Sequence, residues 1–243
     1  MVWENPQANH TLFSAYFGGG KTDLIVLPEM FSTGFTRQYA ETAPPPSLAW
    51  LQALAKQEDA AVYGSIAWDE GCERFNRGTW VDASAPAQFY DKKHLFTYGK
   101  EQEFFLPGKD ILQVNHAGWL IRPLICYDLR FPVWARNTAP HYDILIYIAS
   151  WPEARRDAWL SLLKARAIEN QSYVIGVNRV GTDGYGLSYA GDSVVFDFAG
   201  KELLNAGRET GRFDVTLDRA ELLDHRQKFP FLLDADAFTF TED

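Results

Sequence analysis

Three apolar runs with the length of short β-strands each end at a reactive side chain, and this arrangement constrains both the fold and the site. The three pairs are residues 23–28 with Glu29, residues 87–91 with Lys92, and residues 120–125 with Cys126. In α/β folds, ligands and catalytic groups gather beyond the carboxyl ends of strands. A carboxylate, an ammonium and a thiol brought together there could act as base, electrostatic support and nucleophile.

Length and composition indicate one large domain. The chain has 243 residues, of which 47% are hydrophobic, and no Pro/Gly/Ser-rich linker divides it, so we expect a single domain over 1–243. The net charge is −9 without a Lys/Arg block, which argues against nucleic acid as a partner. No apolar run approaches the ~20 residues of a membrane span.

Motifs for cofactors, metals and secretion are not found. The five histidines lack metal-ligand spacing, and the sequence has neither a phosphate-binding loop nor a G-x-S-x-G elbow. We therefore expect no metal and no cofactor. Two cysteines do not make a disulfide framework, and the first residues lack the basic and apolar parts of a signal peptide. These features predict a cytoplasmic protein.

Hydrophobic periodicity predicts a mixture of helices and strands, which places the chain in the α/β class. Helices are expected from Asn5, from a cap at Ser47, near 132–137, and from Arg156 to Gln171. Strands are expected at 23–28, 61–67, 79–83, 87–91, 111–114, 118–125, 143–149, 173–178, 193–198 and 212–217. Hairpin-like pairs among the strands favour a layered sandwich with mixed sheets over a parallel barrel.

Cys126 has an ordinary interpretation and a catalytic one. A lone cysteine after an apolar strand is most often a small buried hydrophobic residue. Here the polar segment 127–132 follows at once and predicts a strand-to-helix turn. A thiol at a helix N-terminus would have a lowered pKa, and the Tyr127 N–H could face an oxyanion.

Glu29 and Lys92 also have ordinary interpretations. Glu29 could be a strand-end carboxylate in water, although its Pro, Met and Phe neighbours suit a carboxyl group that transfers protons. Lys92 is followed by Lys93, and an isolated Lys-Lys pair is usually a solvated turn. Composition alone does not decide between the two lysines.

Three motifs together resemble the nitrilase (carbon–nitrogen hydrolase) superfamily. They are residues 27–31 (LPEMF), 90–96 (YDKKHLF) and 126–132 (CYDLRFP), and the resemblance continues through 151–152, 165–170, 178–181 and 189–193. The details are most similar to the bacterial ω-amidase branch, whose members deamidate 2-oxoglutaramate and 2-oxosuccinamate. The resemblance covers nearly the whole chain.

The resemblance implies a catalytic set and a fold. It selects Glu29, Lys92 rather than Lys93, and Cys126, and it adds Glu101 rather than Glu103 as a second glutamate. It implies an α-β-β-α sandwich that needs no cofactor or metal and forms a homodimer or a higher homo-oligomer. Members of the superfamily open with a strand before the helix that starts here at Asn5, so we expect that first strand to be absent from this sequence.

A small-molecule amide that carries a carboxylate needs a local cation on a chain of net charge −9. The candidate substrate-binding residues are Tyr127, Arg130, Trp151, Arg155 and Arg156. Arg130 could instead brace its turn, and Arg155 and Arg156 could be a solvated helix start.

Three alternatives remain open. The chain could be another enzyme of the superfamily, such as an aliphatic amidase, a nitrilase or a carbamoyl-amino-acid hydrolase. It could be a papain-like hydrolase that pairs Cys126 with His94. It could also be a non-catalytic interaction protein, although such a protein has no physical need for charged groups around a thiol.

Overall fold

The computed structural model describes residues 1–241 and contains two large β-sheets flanked by helices. The strands are β1 (Leu24–Val26), β2 (Glu41–Thr42), β3 (Ala61–Glu70), β4 (Glu73–Val81), β5 (Gln88–Asp91), β6 (Val114–His116), β7 (Trp119–Ile125), β8 (Ile144–Ala149), β9 (Tyr173–Asn178), β10 (Val180–Thr182), β11 (Ser188–Ala190), β12 (Val194–Phe196) and β13 (Glu202–Asn205). The α-helices are α1 (Pro6–Ser14), α2 (Pro46–Glu58), α3 (Arg156–Asn170) and α4 (Arg219–Lys228). Short 3-10 turns cover Thr97–Gly99, Glu101–Glu103, Cys126–Arg130, Glu153–Arg155 and Phe231–Asp234.

Strand direction brings several strand ends to the same edge. The first sheet has the order β1-β3-β4-β5, with β2 also on β3. Because β1 runs parallel to β3 and both steps from β3 to β5 are antiparallel, β1, β3 and β5 all point the same way. The second sheet has the order β13-β12-β9-β8-β7-β6, and its central strands β7, β8 and β9 are parallel. The predicted reactive residues therefore follow strands that share a direction within their sheet.

Side-chain alternation in β3 shows how the layers stack. Ala61 and Tyr63 belong to the core between the two sheets, whereas Val62 and Ile66 belong to a second core beneath α2. Successive strand residues point to opposite faces, so one buried strand serves both cores. On the other side of the molecule, α3 contributes Trp159 to the central cluster. The layers are helix, sheet, sheet and helix, which confirms the predicted α/β sandwich.

Helix α3 follows its sequence pattern closely. Its buried positions are Trp159, Leu163, Arg166, Ala167 and Asn170, which recur every three or four residues except for the adjacent pair Arg166 and Ala167. The helix ends where Gln171 adopts a left-handed backbone with φ of 42°. This conformation is a common way for a helix to terminate.

Several predicted elements are wrong. Residues 132–135 form a turn and 136–137 have no regular structure, so the predicted helix is not formed, and residues 212–217 belong to no strand. Helix α2 begins at Pro46, and Ser47 does not cap it; its hydroxyl donates instead to Glu41 Oε1 at 2.6 Å. Strands β2, β10, β11 and β13 and helix α4 were not predicted.

A groove runs along the outer edge of β1. Among residues 1–241, β1 pairs only with β3, and both β1 and residues 213–217 line a cavity of about 760 Å³. Residues 24–28 line one wall of this cavity, and none of the four predicted catalytic residues lines it. The expectation of an absent first strand stays a prediction.

Within the described part of the chain, no helix has the length and apolar character needed to cross a membrane.

Candidate active site

Four predicted catalytic side chains converge in the interior between the strand ends. Glu29 lies in the turn after β1, Lys92 directly follows β5, and Cys126 directly follows β7. Glu101 begins a 3-10 turn. Glu29, Lys92 and Glu101 are fully buried, and Cys126 is 9% exposed. Burial of three ionisable side chains in one place requires that they stabilise one another.

Lys92 joins the two carboxylates. Its Nζ lies 2.9 Å from Glu29 Oε1 and 2.9 Å from Glu101 Oε2. Burial on its own would lower the pKa of Lys92, but the charges of Glu101 and Glu29 outweigh it and raise that pKa above its ordinary value. Lys92 therefore remains an ammonium. Lys93 is not part of this cluster, because its Nζ lies 5.4 Å from the centre of the Trp134 ring.

The backbone around Lys92 is fixed from two sides. Its N–H donates to the Asn76 carbonyl at 3.0 Å, and its carbonyl accepts from the Gly108 N–H at 2.9 Å. A Cβ at Gly108 would lie 2.0 Å from the Asp91 carbonyl oxygen. Only glycine permits this close approach, which holds the loop against the end of β5.

Both oxygens of Glu29 have defined partners. Oε1 accepts from Lys92 and from Asn76 Nδ2, the latter at 2.8 Å. Oε2 accepts from the Ser150 N–H at 2.7 Å, just beyond the end of β8. The carboxylate is thus held by residues of β4 and the end of β5 from the first sheet and by the end of β8 from the second.

Glu101 is the second carboxylate of the cluster. Its Oε2 accepts from the Phe96 N–H at 2.6 Å, and its Oε1 lies 3.3 Å from Asn76 Nδ2. Burial raises the pKa of Glu101, Lys92 opposes that shift, and Glu29 adds to it. Glu103 is outside the cluster and contacts Lys100 at the surface.

Cys126 adopts a backbone conformation that is unusual for a residue with a side chain. Its φ is 45°, and it is the first residue of the turn Cys126–Arg130. Such a positive φ costs of order 1–3 kcal/mol and persists only where surrounding structure imposes it. The thiol therefore sits on a tight bend between β7 and the following turn.

The expected low pKa of Cys126 is wrong. Burial, followed by the negative charge of Glu29, raises the pKa of the thiol, and Lys92 only partly offsets this. The turn of five residues is too short for a helix dipole to outweigh desolvation. At neutral pH the resting residue is a thiol and needs a base.

Asp128 holds the turn and was missed by sequence reasoning. Its fully buried carboxylate accepts from the Ile125 N–H at 3.0 Å, the Tyr90 hydroxyl at 2.7 Å and the His94 N–H at 3.0 Å. The His94 ring also contacts it at 2.8 Å. These bonds join the end of β7 to the segment after β5 and stabilise the bend at Cys126. The only sequence signal was an acidic residue two positions after the thiol.

The five predicted substrate-binding residues do not all have the same surroundings. Arg130 lies over the Trp151 ring at 5.0 Å, and Arg155 lies over the Phe96 ring at 5.1 Å. The Tyr127 ring meets Phe96 edge-on at 5.1 Å. The Trp151 Nε1–H donates to the Arg155 carbonyl at 2.8 Å and joins the two sets of contacts, so four of the five candidates lie in one group.

Among the described residues, no carboxylate lies within ion-pair distance of Arg130 or Arg155. Arg156 differs from them, because its guanidinium makes two hydrogen bonds of 2.7 and 3.0 Å to Asp192. This ion pair makes Arg156 the weakest of the three arginine candidates. Within residues 1–241, no cluster of His, Cys, Asp or Glu could hold a metal ion.

Comparisons with known proteins agree with this geometry. The family model for carbon–nitrogen hydrolases matches residues 2–227. The chain is 42% identical to "Omega-amidase YafV" of Escherichia coli (strain K12), over 98% of this chain and 94% of that protein. It is 34% identical to "2-oxoglutaramate amidase" of Bacillus subtilis (strain 168), over 86% of this chain and 83% of that protein.

A solved structure of another protein has the same fold. The crystal structure of XC1258 from Xanthomonas campestris superposes with a TM-score of 0.95 at 38% identity, covering 99% of this chain and 96% of that one. It is described as a CN-hydrolase superfamily protein with an arsenic adduct in the active site. The family match, the relatives and the shared fold lead to one conclusion: this chain belongs to the carbon–nitrogen hydrolase family.

Proposed function

We propose that the protein is an ω-amidase that hydrolyses the terminal amide of a short 2-oxo-dicarboxylate monoamide, such as 2-oxoglutaramate or 2-oxosuccinamate. The observation that carries the chemistry is the buried cluster of Glu29, Lys92 and Glu101 beside the thiol of Cys126. The named activities of the similar proteins support the choice of substrate. The alternative is another carbon–nitrogen hydrolase, since the same groups would serve an aliphatic amidase or a nitrilase.

The first half of the reaction forms a thioester. Glu29 takes the proton of the Cys126 thiol as sulfur attacks the amide carbonyl. The Lys92 ammonium and the Tyr127 N–H stabilise the oxyanion. Glu29 then gives its proton to the nitrogen, the C–N bond breaks, and ammonia leaves.

The second half releases the acid. Glu29 takes a proton from water, the resulting hydroxide attacks the thioester, and the C–S bond breaks with return of the proton to sulfur. Glu101 does not touch the reacting atoms in this scheme. It keeps Lys92 charged and oriented through its ion pair with Nζ at 2.9 Å.

Arg130 and Arg155 are the proposed partners of the substrate carboxylate. Each guanidinium lies over an aromatic ring and has no carboxylate partner among the described residues. A cation held in this way keeps N–H groups available for an anion. Trp151 and Tyr127 would form walls beside the carbon chain of the substrate.

The assembly and location remain proposals. A homodimer or a higher homo-oligomer is supported by large apolar side chains exposed near the C-terminal end, including Phe231 at 63% and Leu233 at 80%. Apolar exposure of this kind often marks a protein interface. The cytoplasmic location rests on the sequence features alone.

Ammonia release from 2-oxoglutaramate, 2-oxosuccinamate, glutamine, an aliphatic amide and a nitrile tests the substrate class. We expect fast turnover of the 2-oxo-acid amides, and loss of about 10⁴-fold or more in Cys126→Ala because the nucleophile is removed. Preference for a neutral amide or a nitrile would favour the alternative enzymes. Turnover that survives in Cys126→Ala would contradict the mechanism.

Replacing Arg130 or Arg155 by Met tests carboxylate recognition, because Met keeps much of the stem and removes the charge. We expect KM for the 2-oxo-acid amides to rise about 10–100-fold, the worth of a hydrogen bond to a charged group. Turnover of a neutral aliphatic amide should change little. Arg212→Met, at an arginine bound to Asp214 outside this group, is the control. An unchanged KM in both variants would exclude these arginines as carboxylate partners.

Replacing His94 by Ala tests the papain-like alternative. His94 contacts Asp128 and stacks on Phe131 at 3.8 Å, so we expect less than about a tenfold loss of kcat, of the kind caused by a weakened support. Glu29→Gln should instead lose about 10²–10⁴-fold, as expected for removal of a general base. The opposite ranking of the two variants in kcat would favour a Cys–His mechanism.

A further inference from the structure

Asn76 lies at the centre of the buried cluster and had no place in the sequence-based site. It is a fully buried residue of β4. Its Nδ2 donates to Glu29 Oε1 at 2.8 Å and lies 3.3 Å from Glu101 Oε1. One neutral amide therefore contacts both carboxylates that flank Lys92.

The charges of the cluster explain why an amide is needed there. Glu29 and Glu101 carry two negative charges, whereas Lys92 is the only cation that binds them among the described residues. Two buried carboxylates in contact with one ammonium repel each other. The two N–H groups of the Asn76 amide supply further donors without adding a charge.

The orientation of the Asn76 amide follows from the same contacts. Its Oδ1 is buried and has no hydrogen-bond partner within residues 1–241. Turning the amide over would place that oxygen against two carboxylates, which is repulsive, so the nitrogen must face Glu29 and Glu101. The unpaired oxygen is a cost that the two contacts of the nitrogen offset.

The backbone of Asn76 acts on the third member of the cluster. Its carbonyl accepts from the Lys92 N–H at 3.0 Å, which continues the ladder between β4 and β5. Side chain and backbone of one residue thus fix Glu29, Glu101 and Lys92 relative to one another.

We infer that Asn76 is a positioning residue that orients the general base. It saturates Oε1 of Glu29 together with Lys92, which leaves Oε2 as the oxygen that takes the proton of Cys126. Among the described residues, Oε2 accepts only from the Ser150 N–H, at 2.7 Å, and so retains a lone pair for the thiol. This inference rests on the proposed role of Glu29 as the base, and not on the identity of the substrate.

The pH profile of activity distinguishes a positioning role of Asn76 from a purely structural one. Loss of the amide removes a hydrogen-bond donor from both carboxylates, so their negative charge is less well stabilised. The acid limb of activity should therefore move to higher pH. The titratable groups around the two carboxylates are Lys92, Cys126, Tyr63 and Tyr189, from four different segments of the chain.

The experiment compares Asn76→Ala and Asn76→Asp with Asn137→Ala, all in a Cys72→Ser background. Asn137 is also fully buried, but it bonds the backbone of Tyr142 and Asn170 and is remote from the cluster. Two quantities are measured against pH: kcat and KM for ammonia release, and the rate constant of Cys126 alkylation by iodoacetamide. Alkylation reports on the base without any assumption about the substrate.

For Asn76→Ala we expect kcat to fall about 10–100-fold with KM within about threefold, and both pH profiles to shift upward. Asn76→Asp keeps the shape of the side chain but adds a third carboxylate. The fall in kcat should therefore be at least as large as in Asn76→Ala, and it should grow as the pH rises. Asn137→Ala should leave both profiles in place. If the Asn76 variants lose activity without a shift of either profile, or if only KM changes, the inference is overturned.

Failure of the substrate assignment gives a different result. If wild-type protein does not turn over the 2-oxo-acid amides, but the alkylation profile still shifts in Asn76→Ala and not in Asn137→Ala, the role of Asn76 stands and the proposed substrate is wrong.

Discussion

Two carboxylates share one ammonium in a water-excluded space, and the rest of the site depends on that ion cluster. Glu29, Lys92 and Glu101 are fully buried, and the sum of their charges is negative. Such a cluster is stable only when its geometry is good and its remaining lone pairs are satisfied. The donors that satisfy them are the Asn76 amide and the N–H groups of Ser150 and Phe96.

The same negative cluster explains the state of the nucleophile. A thiolate at Cys126 would be a further negative charge beside Glu29 in a desolvated place, so the thiol keeps its proton until substrate arrives. In the proposed mechanism, Glu29 removes that proton during the attack, and Lys92 stabilises the negative charge that moves to the carbonyl oxygen. The same mechanism implies that the thiol has low reactivity before the substrate binds.

Much of the fold could be predicted from sequence because it follows from strong local patterns, whereas the choice of Lys92 and Glu101 for the site came from the resemblance to a known family. Buried strands such as β8 and β9 are continuous apolar runs, and α3 has a clear helical period. Helix α4 could not be predicted, since its residues are mostly polar and only Leu222 is buried. The apolar residues of 132–137 resembled a helix but pack in turns, because tertiary contacts override local propensity there.

Asn76 and Asp128 could not be found from sequence for a different reason. An asparagine inside an antiparallel strand has no flanking turn or helix that marks it, and its partners lie 25 and 47 residues away. The acidity of Cys126 was mispredicted because the local argument used the dipole of the following turn, whereas burial and Glu29, which are tertiary effects, decide the direction of the shift. Contacts between residues of two different sheets cannot be read from a single sequence.

The protonation state of Cys126 in the resting protein tests this account most directly. The ultraviolet absorbance of the thiolate can be followed against pH in Cys72→Ser and compared with Cys72→Ser combined with Cys126→Ser. Because burial and Glu29 raise the pKa of the thiol, we expect the difference between them to show no thiolate at neutral pH and to titrate well above the ordinary cysteine value of about 8.5. A thiolate already present at pH 7 would contradict the claim that Glu29 must act as the base.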